Sequence, residues 1–276
     1  MPTRFPTGLN MLPGDHSLKE LPFPVLNSQW GILFDDFTVP NGVADSQYTW
    51  NGWSYVSLTA AGSVVLGNSG TTNIANQMGA ALITTAAAAT AATNLYIGNG
   101  QPEEVVGNLV LGTPTNGVAR DWIISARLSQ TIVTTSGFAF GAVDAGSLNN
   151  AGVTSDLCTA ATTPVSGALI RKASGATDVI MDVYSASAKI ITTTTVVANA
   201  SLAVSTMNRY TMHYRARANK LDAYFNDKRV ASVTPTAAIP VGQLGAFMGA
   251  RADGSNATTR SVMFDYLLAA VKVGAR

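Results

Sequence analysis

Charge is what this chain has least of. Asp, Glu, Lys and Arg make up 12% of its 276 residues, about half the usual fraction for a soluble domain. Residues 46–102 contain none of the four. The 17 Lys+Arg against 16 Asp+Glu leave a net charge of +1, so no general electrostatic pull draws the chain to nucleic acid or to an anionic membrane. Cys158 is the sole cysteine, which excludes an intrachain disulfide and a thiolate metal site. The two histidines, His16 and His213, form no zinc cluster. No apolar run of the secretory kind follows Arg4. The most apolar stretch, residues 78–93, is mainly Ala and Thr, too short and too weak for a membrane span.

Proline, by contrast, is concentrated. Pro2, Pro6, Pro13, Pro22 and Pro24, five of the eleven, fall in the first 24 residues. Proline fixes φ and lacks an N–H, so this opening is an extended arm and neither helix nor central strand. The arm also carries Phe5, Leu9, Met11, Leu12, Leu18, Leu21, Phe23, Val25 and Leu26, whereas disordered tails are poor in large apolar groups. An extended apolar arm needs a surface to lie on, either its own body or another protein. The uncharged residues 46–102 fit either a neutral Ser/Thr/Asn/Gly surface or one covered by a partner.

After the arm, period-two alternation marks strands. In residues 122–128, Trp122, Ile124, Ala126 and Leu128 alternate with Ile123, Ser125 and Arg127. Residues 138–141 read as a short strand. In residues 178–185, Val179, Met181 and Val183 share a face opposite Ile180, Asp182 and Tyr184. In residues 209–217, Tyr210, Met212, Tyr214 and Ala216 lie opposite Thr211, His213, Arg215 and Arg217. Residues 220–225 and 229–233 flank Asn226-Asp227-Lys228 and predict a tight hairpin. Residues 260–273 form a last strand with a kink at Ala269–Ala270. Residues 80–93 mix helix-favouring Ala with strand-favouring Thr; strand or loop is the assignment, a short helix the alternative. Gly/Ser/Asn/Thr clusters at 67–73, 98–100, 112–117 and 253–259 supply turns. Together these predict an all-β, antiparallel jelly-roll sandwich, with residues 1–29 as the arm and 30–276 as one domain.

Two regions carry a family resemblance. The C-terminal third reads Arg209-Tyr-Thr-Met-His-Tyr-Arg-Ala-Arg, then Leu-Asp-Ala-Tyr-Phe-Asn-Asp-Lys-Arg-Val230, with Ser261-Val-Met-Phe-Asp-Tyr266 near the end. It resembles the closing strands of concanavalin A-like (laminin-G-like) jelly rolls, in which a Tyr-x-Phe-x-Asp-Gly hairpin precedes the last strand; here Lys228 stands in place of the Gly. The opening MPTRFPTGLN, then Asp35-Asp36-Phe37 and Trp50/Trp53, is similar to a group of tailed-bacteriophage virion proteins in which an extended arm leads into such a sandwich. That resemblance implies a capsid decoration (cement) protein on the virion surface, made in the host cytoplasm. Its implied partners are the major capsid protein and further copies of itself, as a dimer or trimer. Arg4, Phe5, Leu9, Leu12, Phe23, Trp50 and Trp53 are the candidate contacts.

Catalysis finds little footing. Glycosidases of this fold class need two facing carboxyl groups. The glutamates are Glu20, Glu103 and Glu104 alone, and the Glu-x-Asp-x-x-Glu pattern of jelly-roll glucanases is absent. Asp35-Asp36 and Asp253-Gly254-Ser255-Asn256 could ligate calcium, but each reads more simply as a strand end or a loop. A Ser–His–Asp triad would have to use His213, without a Gly-x-Ser-x-Gly elbow. His213, Arg215, Arg217 and Lys220 read as the solvated side of a strand that could meet phosphate or an acidic partner. Trp122 reads as core, whereas Trp30, Trp50 and Trp53 could stack on a glycan. The expectation is a structural virion protein with no enzyme activity, no cofactor, no metal, no nucleic acid and no membrane. The alternatives are a lectin-like module that contacts a host-surface glycan, or a head- or tail-fibre component.

Overall fold

The computed structural model describes residues 30–35, 53–57, 62–66, 80–85, 92–97, 108–110, 120–144, 158, 164, 166–173, 175–176, 178–198, 202–239, 243–252 and 259–272. Their strands are, in chain order, β1 (Trp30–Asp35), β2 (Trp53–Ser57), β3 (Ser63–Leu66), β4 (Ala81–Thr84), β5 (Ala92–Ile97), β6 (Asn108–Val110), β7 (Trp122–Gln130), β8 (Ser136–Asp144), β9 (Gly167–Lys172), β10 (Asp178–Ser185), β11 (Ala188–Lys189), β12 (Thr194–Ala198), β13 (Asn208–Arg215), β14 (Lys220–Phe225), β15 (Lys228–Val233), β16 (Gln243–Ala252) and β17 (Ser261–Lys272). They form two antiparallel sheets. One has eight strands in the order β15-β14-β13-β7-β17-β4-β3, with β1 also on β17; the other has nine in the order β11-β10-β9-β8-β16-β5-β2, with β12 on β10 and β6 on β16. This is the jelly-roll sandwich that the alternating pattern predicts. Residues 1–29 lie outside the described residues.

The core lies between the sheets, where the two-residue period puts it. Trp122, Ile124, Ala126 and Leu128 of β7 and Tyr210, Met212 and Tyr214 of β13 meet Phe138 and Phe140 of β8, Ile170 of β9 and Val179, Met181 and Val183 of β10. Trp122 stacks on Tyr214 at 5.8 Å. Tyr210 is tilted against Phe138, Phe140 and Phe225. Gly141 lies opposite Leu169 and Phe247, on the strands either side of β8. A Cβ there would come within 2.1 Å of the Ala168 carbonyl oxygen, so no larger residue fits between them.

Four local expectations need correction. The last strand does not kink at Ala269–Ala270, which pair regularly with Ile124 and Ile123; the register breaks between Phe264 and Tyr266. Asp265 is the extra residue, turned outward to an ion pair with Arg127 at 3.1 Å, as a β-bulge allows. The 209–217 strand stops at Arg215, and Ala216–Ala218 form a 3₁₀ turn closed by Asn219 at φ 48°. The hairpin turn has two residues rather than three: Asn226 and Asp227 take φ 47° and 69°, and Lys228 already pairs with Phe225. Finally, the central strands β7, β9, β10, β13 and β14 are largely buried on both faces. Ser125, Asp182, Thr211 and His213 all point away from the core, yet they are as closed to solvent as core residues. The solvated face expected at His213 therefore does not exist there: His213 sits between Ile123 on β7 and Asp222 on β14. In residues 80–93, β4 and the start of β5 bear out the strand assignment for the described residues. Of the turn clusters, 67–73, 98–100, 112–117 and 253–258 lie outside the described residues.

Candidate functional site

Two groups of polar side chains stand on the outward-facing sides of the sheets, most of them closed to solvent. The first is on the nine-stranded sheet. Asp182 on β10 and Arg171 on β9 project outward from neighbouring strands. Arg171 donates to Asp182 Oδ2 through Nε at 3.0 Å and Nη2 at 2.6 Å, and Nη2 also donates to the Tyr184 hydroxyl at 2.8 Å. Lys189 Nζ lies 2.8 Å from the other carboxylate oxygen of Asp182. Lys189 also donates to Thr193 at 2.6 Å. Both cations sit over the Tyr184 ring, at 5.9 and 5.6 Å. The Arg171 and Asp182 side chains are 1% and 0% exposed. Beside them Ala139, Val143, Leu169, Tyr184 and Phe247 form a closed apolar cluster with Cys158.

This arrangement sets what the face can do. Asp182 is held by two cations, so its carboxylate is a structural anchor and not a free general base or nucleophile. Asp178, the other carboxylate on this face of β10, accepts from Thr195 at 3.3 Å. Four residues of strand separate it from Asp182, roughly 13 Å at about 3.3 Å per residue. Paired catalytic carboxyls of glycosidases stand about 5–9.5 Å apart.

The second group is on the eight-stranded sheet. Arg215 Nε donates to Asp222 Oδ2 at 2.7 Å. The buried Oδ1 of Asp222 has no hydrogen-bond partner among the described residues. Burial lowers the pKa of His213 from 6.5 to about 4; Asp121 and Asp222 pull it up, and Arg215 pushes it down. The imidazole is therefore neutral at physiological pH. One cross-strand pair along, the hydroxyls of Ser125 and Thr211 share a hydrogen bond of 2.7 Å. Arg209 pairs with Asp227 at 2.6 Å, and Asn226 accepts from the Arg209 N–H at 2.8 Å, which ties the hairpin turn to β13.

A third cluster closes one end of the core. Lys172 continues the inward row of β9 and is fully buried. Its ammonium donates to the Ser136 carbonyl at 3.2 Å, and burial lowers its pKa to about 8. Arg260 reaches Thr135 at 2.8 Å.

Trp122 is core, as expected. Trp53 opens β2 opposite Ile97. Arg4, Phe5, Leu9, Leu12, Phe23 and Trp50 lie outside the described residues, as do the three glutamates and Asp253. Asp35 ends β1 opposite Leu267. Among the described residues no group of three or more His, Cys, Asp or Glu could hold a metal ion. No helix among them is long and apolar enough to cross a membrane. Sequence reasoning missed the Arg171–Asp182–Lys189 network. Its signal was a charge set inside each of two apolar strands, GALIRK and DVIMDVYS.

No protein-family model matches the chain, and no curated protein matches it. Solved structures do. The carbohydrate recognition domain of Emp47p superposes with a TM-score of 0.53 at 10% identity, over 90% of this chain and 98% of that one. Peanut lectin, solved with a nine-residue peptide, gives 0.52 at 8% identity, over 90% and 99%. A laminarinase from Flavobacterium sp. UMI-01 gives 0.50 at 10% identity, over 86% and 98%. At these identities the likeness shows the fold: a concanavalin A-like jelly roll shared by lectins and glycan hydrolases alike.

Proposed function

We propose that this chain is a non-catalytic attachment protein, a structural component of a tailed-phage head. It decorates the capsid surface, binds the major capsid protein and neighbouring copies of itself, and stabilises the shell. What favours attachment over catalysis is Asp182, whose two oxygens are taken by Arg171 and Lys189 beside an apolar cluster. The resemblance of MPTRFPTGLN, Asp35-Asp36-Phe37 and Trp50/Trp53 to phage virion proteins, read from the sequence alone, suggests the kind of assembly. The uncharged residues 46–102 suit a surface that meets neighbours. In this reading residues 1–25 are an extended clamp. Its prolines pre-set the bound shape and reduce the entropy lost on docking. Arg4, Phe5, Leu9, Leu12 and Phe23 are its contacts, with Trp50 and Trp53 on the body. Sedimentation with emptied capsids tests this. The full chain co-sediments, and a chain lacking residues 1–25 binds at least about tenfold more weakly, as loss of several anchors implies. Equal binding by the truncated chain removes the clamp, and failure of the full chain to bind removes the decoration role.

A second reading is favoured by the fold likeness to a carbohydrate recognition domain and to peanut lectin: a module that binds a host-surface glycan. A glycan array, with and without calcium, separates the two. Reproducible binding abolished by Trp50→Ala or Trp53→Ala selects the glycan reading.

A further inference from the structure

We propose that the corner formed by β13, β14 and β15 is a docking surface for an acidic, extended segment of a protein partner. The proposal rests on charge and geometry at this corner and does not depend on which assembly the chain joins.

Charge is distributed very unevenly along the chain. From Arg209 to Arg229 there are six cations (Arg209, Arg215, Arg217, Lys220, Lys228, Arg229) and two carboxylates (Asp222, Asp227), a balance of +4. The rest of the chain therefore carries 11 Lys+Arg against 14 Asp+Glu, or −3. In a protein with 12% charged residues, such a cluster sets the local potential. Both carboxylates are already engaged, Asp227 by Arg209 and Asp222 by Arg215. Arg217, Lys220, Lys228 and Arg229 make no ion pair with a described residue. Arg217, Lys228 and Arg229 are exposed and Lys220 is half-buried.

The four cations stand at the two ends of the last hairpin. Arg217 and Lys220 lie at the 3₁₀ turn and the start of β14. Lys228 and Arg229 begin β15, with Arg229 opposite Tyr224. Five residues of strand separate the ends, roughly 17 Å at about 3.4 Å per residue. An extended segment of about six residues spans that distance.

The same corner excludes other modes of binding. β15 is the outermost strand of its sheet, but its register shifts opposite Ala223/Tyr224, so Val230 is an extra residue and stands 41% exposed. A bulge preceded by Lys228 and Arg229 blunts backbone pairing with a further strand, so recognition falls to side chains. Nucleic acid is disfavoured because the aromatic rings of the corner, Tyr210, Tyr214, Tyr224 and Phe225, are buried or packed against the core and offer no stacking platform. Val230, between the cation pairs, gives an apolar contact suited to a peptide of mixed acidic and apolar character.

The test uses the full chain, a ten-residue Glu/Val alternating peptide bearing a fluorophore, and a ten-nucleotide single-stranded DNA as the rival probe. Anisotropy at low ionic strength gives the affinities, and amide NMR shifts during titration map the contact. The expected result is peptide binding that weakens at least tenfold in the triple variant Arg217→Glu/Lys228→Glu/Arg229→Glu, with shifts confined to residues 215–230. Because these side chains are exposed, the melting temperature of the triple variant stays within a few degrees of the parent. Three results each overturn the proposal: undiminished binding by the triple variant, shifts centred elsewhere, or tighter binding of the DNA than of the peptide.

Discussion

Single residues show where a two-state pattern of inside and outside breaks down. Lys172 follows the inward parity of Ala168 and Ile170, so the alternation that makes β9 legible also forces a cation into the end of the core. Burial lowers its pKa from 10.5 to about 8. Between those values the unfolded chain keeps a proton that the folded chain has released. Stability from this group is thus fully present above pH 10.5 and is lost as pH falls through 8. Lys172→Met removes the penalty. We expect the variant to be more stable than the parent at pH 7, with the gap narrowing by pH 9.5, as read by urea midpoints. A variant less stable at pH 7 with an unchanged pH slope contradicts this. His213 acts in the same direction at the acid end, from 6.5 down to about 4. Its position on β13 was legible in Tyr210, Met212 and Tyr214, but its burial was not. Alternation tells which face a residue occupies and says nothing about what covers that face.

Among the elements, the β9–β10 pair carries the clearest energetic prediction. Arg171 and Asp182 are a fully buried ion pair, two guanidinium nitrogens donating to Oδ2, with a second cation, Lys189, at Oδ1. Removing one partner leaves a charge in the low-dielectric interior, at a cost of about 3–5 kcal/mol. Replacing both with apolar groups of similar volume is close to neutral. Asp182→Leu alone, which leaves the buried Arg171 without its carboxylate, is therefore expected to lose that stability and Arg171→Met/Asp182→Leu to regain most of it in thermal denaturation. If both variants are equally unstable, the pair specifies more than its own neutralisation. β7, β10 and β13 were readable from their alternation, and β14 and β15 from the turn residues between them. The bulge at Asp265 was not, because an inserted residue leaves the local composition unchanged and shows only against the partner strand. The hairpin was read one residue too long for a similar reason: Asn226 and Asp227 alone supply the positive φ values, and Lys228 is free to pair.

At the scale of the molecule, two sheets of eight and nine strands enclose one core, and the central strands are covered on their outer side too, while β11 and β15 stay largely exposed. The fold followed from period-two patterning and from the closing hairpin's resemblance to concanavalin A-like domains. The candidate contacts followed from proline and aromatic placement, and those in residues 1–29, with Trp50, lie outside the described residues. On the described surface the basic corner at β13–β15 stands out, while the Asp182 carboxylate and the Ser125 and Thr211 hydroxyls are buried. The account's central claim is that the chain is a stoichiometric part of a phage head. The direct measurement is its copy number relative to the major capsid protein in purified particles, by quantitative mass spectrometry. The account predicts a fixed ratio on the scale of the capsid lattice, unchanged by further purification. A handful of copies per particle, or none, contradicts it.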